Sequence, residues 1–207
     1  MPQLVVYATD TMADWEYAYL TTELARAAAR PGSDLRLVFA GDGTAQVTSL
    51  GRLPITPDID LDDVDAADTI AFVAPGGETY GAGHERMLAT ARRLLDADVP
   101  VAAICGATLA FARDGLLDER AHTSNARVFL DQSGYAGGAN YRDEDVVTDG
   151  GITTASGTRP VPFTAEVLER AGVFAPEHAD AWLRVNRDND EQAFYRLVEI
   201  EGALEDA

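Results

Sequence analysis

The sequence predicts an α/β fold built around a mostly parallel sheet, and three observations carry that expectation. Apolar runs of strand length alternate with longer helical patterns, as in repeated strand–helix units. Two of the runs, Ile70 to Ala74 and Val101 to Ile104, are apolar throughout, as strands buried on both faces must be. The chain has 207 residues, 46% hydrophobic and 25% charged, enough for one ordinary core.

The elements follow in order. Leu4 to Ala8 is the first strand, and Asp10 or Thr11 is placed to cap a helix running through Trp15, Tyr19 and Leu24 to about Arg30. Pro31-Gly32 stops it, Leu35 to Ala40 forms the second strand, and Gly41-Asp42-Gly43 turns the chain. Val47 to Ile55 reads as a small hairpin or edge strands, kept short by Pro54 and Pro57. The strand ending at Ala74 runs into Pro75-Gly76-Gly77, and a helix spans about Glu85 to Asp96. Pro100 opens the strand that ends at Ile104. Cys105 follows, then a helix over Ala107 to Arg113 and a short strand over Ala121 to Ser124. Gly134 to Gly138 is loop, and Val146-Val147, Asp149-Gly150-Gly151 and Ile152 to Thr154 read as a tight hairpin. Pro160 to Gly172 is helical, and Ala179 to Leu204 carries one or two amphipathic helices. With no repeat, low-complexity tract or linker, residues 1–207 read as one domain whose C-terminal helices, from about 175, form an extension.

Charge narrows the function classes. There are 35 acidic residues against 16 basic ones, every basic residue is Arg, and the formal net charge is -19. A field of that sign repels phosphate backbones and anionic lipid, so neither nucleic acid nor membrane is an expected partner. An acidic surface of this kind is also what adaptation to high salt would produce. No run approaches the roughly 20 apolar residues of a membrane span, and the N-terminus lacks a basic leader. One cysteine cannot form an internal disulfide, which fits a reducing cytoplasm.

That cysteine is the most informative residue. In VPVAAICGATLAFARDGLL a strand passes directly into a helix with Cys105 at the junction and the small residues Gly106 and Ala107 after it. Such an elbow strains the backbone at the nucleophile and aims its side chain out of the sheet's C-terminal edge. The helix N-terminus beneath it favours a thiolate, and the Gly106 N–H is placed to serve an oxyanion hole. Gly77, at the end of the neighbouring strand, is placed to supply a second N–H, since ligands of open α/β sheets bind at the carboxyl ends of the strands. A free cysteine is otherwise most often a small buried apolar residue.

The ordered set DTMADWE (10–16), the strand ending in PGG, AAIC at the elbow, GLLDERAHTSN (115–125) and VVTDGGITTASGTRPVPF (146–163) resembles the ThiJ/PfpI family of the class I glutamine amidotransferase-like superfamily. The resemblance spans roughly Leu4 to Arg170. It implies a flavodoxin-like three-layer α/β sandwich, a homodimer, and a nucleophilic or oxidisable cysteine at Cys105. It also implies that Glu16 is the acidic residue whose carboxyl contacts the cysteine. A carboxyl facing a thiolate is held protonated, because two adjacent anions repel, and it then donates to sulfur.

The histidine of many hydrolytic or glyoxalase relatives is missing: the two positions where they carry it are here Gly106 and Asn125. His122 sits three residues from Asn125, on the opposite face of a strand. His84 is either a loop residue over the site or an exposed helix-start residue, and His178 carries no signal. Asp10 and Asp14 orient substrate or cap the helix, and Asn125 is placed to bind substrate or thiolate. Thr158 and Arg159 belong at the pocket rim, the Arg as a carboxylate holder or as ordinary surface. A metal site is not expected with one Cys and three His, and no nucleotide fingerprint occurs, so no cofactor is expected. The expected activity is cysteine-dependent chemistry on a small carbonyl or amide substrate, of protease/amidase or glyoxalase/deglycase type. Glu16 tunes the thiol and Gly77 and Gly106 stabilise the oxyanion. The alternative is a non-enzymatic redox-sensing or stress protein that uses oxidation of the same cysteine.

Overall fold

The computed structural model describes residues 1–205. Among these residues nine strands and seven α-helices follow one another: β1 (Gln3–Ala8), α1 (Asp14–Ala28), β2 (Arg36–Gly41), β3 (Val47–Thr48), β4 (Pro54–Ile55), β5 (Ile59–Asp60), β6 (Thr69–Ala74), α2 (Glu85–Leu95), β7 (Val101–Ile104), α3 (Gly106–Arg113), α4 (Arg127–Asp131), β8 (Val146–Asp149), β9 (Ile152–Ala155), α5 (Pro160–Arg170), α6 (Pro176–Asp188) and α7 (Glu191–Glu205). Seven strands form one sheet in the order β5-β2-β1-β6-β7-β9-β8. Every pairing in it is parallel except β8 with β9, which form the expected hairpin.

The sheet divides the core in two. On β1, Val5 and Tyr7 face a cluster with Met87, Leu94 and Phe111 from α2 and α3, while Leu4, Val6 and Ala8 face Leu20, Leu24, Phe163 and Trp182 from α1, α5 and α6. Both faces of β1 are therefore buried, which is why its sequence is apolar without alternation. The result is a flavodoxin-like α/β sandwich. Two further helices follow, α6 packed on α5 and α7 packed on α6. Among the described residues no helix is long and apolar enough to cross a membrane.

The expected hairpin at 47–55 is present as β3 and β4. Three other expectations are corrected. The first helix starts at Asp14, because Asp10 and Thr11 are spent on tertiary partners: the Asp10 carboxylate accepts from Thr48 N–H and the Thr11 hydroxyl from Glu78 N–H. Ala121 to Ser124 is not a strand but carries one bridge, His122 with Tyr141, since side chains take its backbone donors. Asp149 accepts from Ala121 N–H and Thr154 Oγ1 from Thr123 N–H. Residues 127–131, unassigned from sequence, form the short α4, of which only Leu130 is buried.

Candidate active site

The cysteine is placed by the pairing of β7 with β9. That pairing continues one residue past Ile104, where Cys105 N–H donates to Ala155 O at 3.0 Å, and the chain then breaks into α3. The break puts Cys105 at φ 57° and ψ −122°, a conformation that costs a non-glycine residue of order 1–3 kcal/mol. The Cys105 carbonyl accepts from both the N–H and the hydroxyl of Thr108, at 3.1 and 2.6 Å, which holds the first turn of α3 under the thiol.

Glu16 arrives from α1. It lies on the helix face that carries Leu20, Leu24 and Ala27, the spacing of a core-directed stripe, so its carboxyl points at the sheet edge and not at water. It is 1% exposed. One carboxyl oxygen accepts from Gly76 N–H at 2.6 Å. The other, Oε1, is buried without a hydrogen-bond partner, on the side facing the cysteine. Burial raises Glu16 to about 7, against the opposing pull of the thiol and of Gly76 N–H. The Cys105 thiol is pushed up to about 11, first by burial and then by the Glu16 carboxylate, while Asn125 and Gly106 N–H draw it down. The helix N-terminus alone predicts a depressed thiol; burial first, and the adjoining carboxylate second, reverse that direction.

Three glycines give these groups room. A Cβ on Gly157 would stand 2.6 Å from Glu16 Oε1 and 2.8 Å from Cys105 Sγ, and one on Gly76 would stand 2.6 Å from both Cys105 Cβ and Glu16 Oε2. At Gly106 a Cβ would meet Gly77 O at 2.5 Å and Gly77 N at 3.1 Å. The two glycines expected to donate to an oxyanion are thus packed against each other. Gly77 N–H makes no hydrogen bond among the described residues.

Asn125 reaches the thiol from the far side, with Nδ2 donating to Sγ at 3.2 Å. Its amide orientation is set by the 156–158 turn, where Oδ1 accepts from Gly157 N–H at 2.9 Å and from Ser156 Oγ at 3.3 Å. Trp15 Nε1 donates to Gly157 O at 3.0 Å, so the same turn is held from both sides. Above the thiol lies a cleft of about 620 Å³ lined by Trp15, Glu16, Cys105, Asn125, Ser156, Gly157, Thr158 and Pro160.

The structure therefore gathers Cys105, Glu16, Gly77, Gly106, Asn125 and Thr158 at one sheet edge. Arg159 does not line the cleft; its Nε is 2.6 Å from Asp145 Oδ1 in an exposed ion pair. Asp10 and Asp14 bind backbone N–H groups of Thr48 and Gly51. No histidine lines the cleft. His122 is fully buried between Arg120 O and Tyr135 OH, and His178 is buried on α6. His84, half-buried at the start of α2, lies between Tyr7 OH and Thr79 Oγ1 and stacks on Tyr80. Gly76, Gly157, Ser156 and the cleft face of Trp15 were not singled out from sequence. The runs PGG, DTMADWE and SGTRP pointed near them without assigning them a role, because spare volume at a glycine has no one-dimensional signature. Among the described residues no group of His, Cys, Asp and Glu could hold a metal ion.

Comparison with known proteins follows the same outline. A model of the DJ-1/PfpI family matches residues 3–170. The chain is 35% identical over 201 residues to the uncharacterized protease YoaZ of Bacillus subtilis (strain 168), covering 95% of this chain and 96% of that protein. Among solved structures, a thiJ/pfpI family protein from Bacillus anthracis superposes with a TM-score of 0.87 at 33% identity, covering 95% of each chain. The DJ-1 superfamily protein Atu0886 from Agrobacterium tumefaciens gives 0.79 at 36% identity, covering 91% of this chain and 99% of that one.

Proposed function

The chain belongs to the DJ-1/PfpI family, and from that premise we propose that it is a cysteine-dependent enzyme acting on a small carbonyl or amide substrate through Cys105. The observation that carries this reading is the buried Glu16 oxygen left without a partner beside the thiol. That oxygen faces the thiol, so the two groups share one proton, held on sulfur towards the carboxylate or on Glu16 towards sulfur.

Glu16 and Cys105 titrate as a pair, with a first proton lost near 7 and a second near 11. Between those values the pair carries one negative charge. On Glu16 that charge is met by Gly76 N–H. The charge rests on Glu16, and shifting the remaining proton from sulfur to Glu16 gives the reactive tautomer, a thiolate met by Asn125 Nδ2, Gly106 N–H and the Glu16 O–H.

The thiolate attacks a carbonyl carbon: a sulfur–carbon bond forms, the carbonyl π pair moves to oxygen, and that oxygen takes the Glu16 proton. The Gly77 and Gly106 N–H groups stabilise the developing oxyanion. With no histidine at the cleft, Glu16 and solvent are the proton carriers, which suits addition to a reactive aldehyde better than peptide hydrolysis.

The test is turnover of a panel of small aldehydes, including methylglyoxal, and small amides. Wild type is expected to turn over a panel member, and Cys105→Ser to lose the activity by about 10³-fold or more. Equal turnover in Cys105→Ser contradicts the reading. No turnover in wild type, with peroxide adding two oxygens at Cys105 alone, replaces it with the redox-sensing one.

A further inference from the structure

The cleft wall opposite Glu16 has no charged residue in it, although the protein is strongly charged elsewhere. Trp15, Gly157 and Pro160 supply apolar surface, Asn125, Ser156 and Thr158 are neutral, and Glu16 and Cys105 are the only titratable lining groups. The nearest candidate cation, Arg159, is drawn off to Asp145. A carboxylate entering here would meet the Glu16–Cys105 pair, a protein of formal net charge -19, and no counter-charge.

Trp15 is the exceptional feature of that wall. The other tryptophan, Trp182, is 2% exposed, whereas Trp15 is 52% exposed. It is nevertheless not free to swing, because its Nε1 is bonded to Gly157 O at 3.0 Å. An indole fixed in place with an open face is a pre-organised platform: a flat apolar group can stack on it without ordering cost to the protein. The cleft volume of about 620 Å³ also exceeds what a two- or three-carbon aldehyde fills.

We propose that this cleft selects neutral carbonyl compounds bearing a planar apolar substituent, with Trp15 as the specificity-determining surface, and rejects carboxylate-bearing ones. The proposal rests on Cys105 being the reacting atom, so its test measures the thiol and the cleft separately.

Cys105 alkylation is followed by intact mass with iodoacetamide, N-phenyl iodoacetamide and iodoacetate, each rate divided by that of a free thiol. The aryl reagent is expected to gain about fivefold to tenfold over iodoacetamide, and iodoacetate to lose a similar factor. Trp15→Ala is expected to abolish the aryl gain, and Trp15→Phe, which keeps an aromatic face, to restore most of it. Equal normalised rates, a preference for iodoacetate, or an aryl gain that survives Trp15→Ala overturns the proposal. If the thiol is inert to all three reagents, the catalytic reading fails and the cleft is tested alone by tryptophan fluorescence with benzamide and benzoate. Quenching by benzamide and not by benzoate, lost in Trp15→Phe where only Trp182 emits, sustains the selectivity. Equal quenching by the two, or none, removes it.

Discussion

Glu16 beneath the cleft and His178 in the helical packing around α6 are both buried and both hold a polar atom without a hydrogen-bond partner, yet they resolve that burial in opposite directions. His178 stacks on Phe174 with ring centroids 3.9 Å apart, and its Nε2 lies 3.9 Å from Glu201 Oε1. Burial, with Arg30 adding to it, lowers His178 to about 4, so the ring is neutral at ordinary pH and behaves as an aromatic filler. Burial raises Glu16 to about 7, which leaves it poised between its two states near neutral pH. The difference is the neighbour. Glu16 faces a thiol on strained backbone and an open cleft, and His178 faces a phenyl ring and closed packing. A buried ionisable group marks a site only when a reactive partner and access come with it.

The largest effect that would break this contrast is expected at Gly157. Its φ is not positive, so alanine is compatible with the backbone, but the added methyl lands on Glu16 Oε1 and Cys105 Sγ. Gly157→Ala is expected to slow Cys105 alkylation and any turnover by about 100-fold through misplacement. Its cost in stability, read by denaturant unfolding, is about 1–3 kcal/mol. An unchanged alkylation rate would mean that the acid and thiol are not held as described.

A smaller effect separates the two groups by pH. Glu16 binds its proton more tightly folded than unfolded, so its contribution is fully present below about pH 4.5 and is lost as pH rises through about 7. Glu16→Gln removes that loss. The variant is expected to unfold like wild type near pH 4 and to be the more stable by up to about 3 kcal/mol at pH 8. A variant that is less stable than wild type at pH 8 would show that Glu16 serves the fold and not the site.

The smallest effect is its mirror image. His178 binds its proton less tightly when folded, so the wild type loses stability as pH falls from about 6.5 towards 4. His178→Phe is expected to lose about 1–2 kcal/mol less than wild type over that window, a figure discounted for solvent screening. Cys105 alkylation is expected to be unchanged. A change in thiol reactivity in His178→Phe would join two regions that the structure keeps apart.

Sequence legibility followed the same division. Continuous apolar runs such as Ile70–Ala74 identified the central strands because a strand buried on both faces has no other composition. The helix start at Asp14 was not legible, since Asp10 and Thr11 are good caps locally and are diverted by Thr48 and Glu78, residues 38 and 67 positions away. Cys105 and Gly106 were readable from the strand-to-helix junction, and Glu16 from its motif. Gly76 and Gly157 were not, because their role is the absence of a side chain between elements that meet only in three dimensions. Of the two readings open for Arg159, carboxylate holder or ordinary surface, the exposed ion pair with Asp145, 14 residues earlier, selects the second.

The central claim, that the Glu16 carboxyl governs the ionisation of Cys105, is tested most directly by the pH dependence of Cys105 alkylation in wild type and Glu16→Gln. With the charge on sulfur, wild type alkylates with a midpoint near 7, and removing the acid moves that midpoint upward towards the ordinary thiol value of about 8.5 or beyond. With the charge on Glu16, the wild-type midpoint lies near 11 and Glu16→Gln lowers it, because the repelling carboxylate is gone. The account predicts the downward shift, and an upward shift or an unmoved midpoint contradicts it.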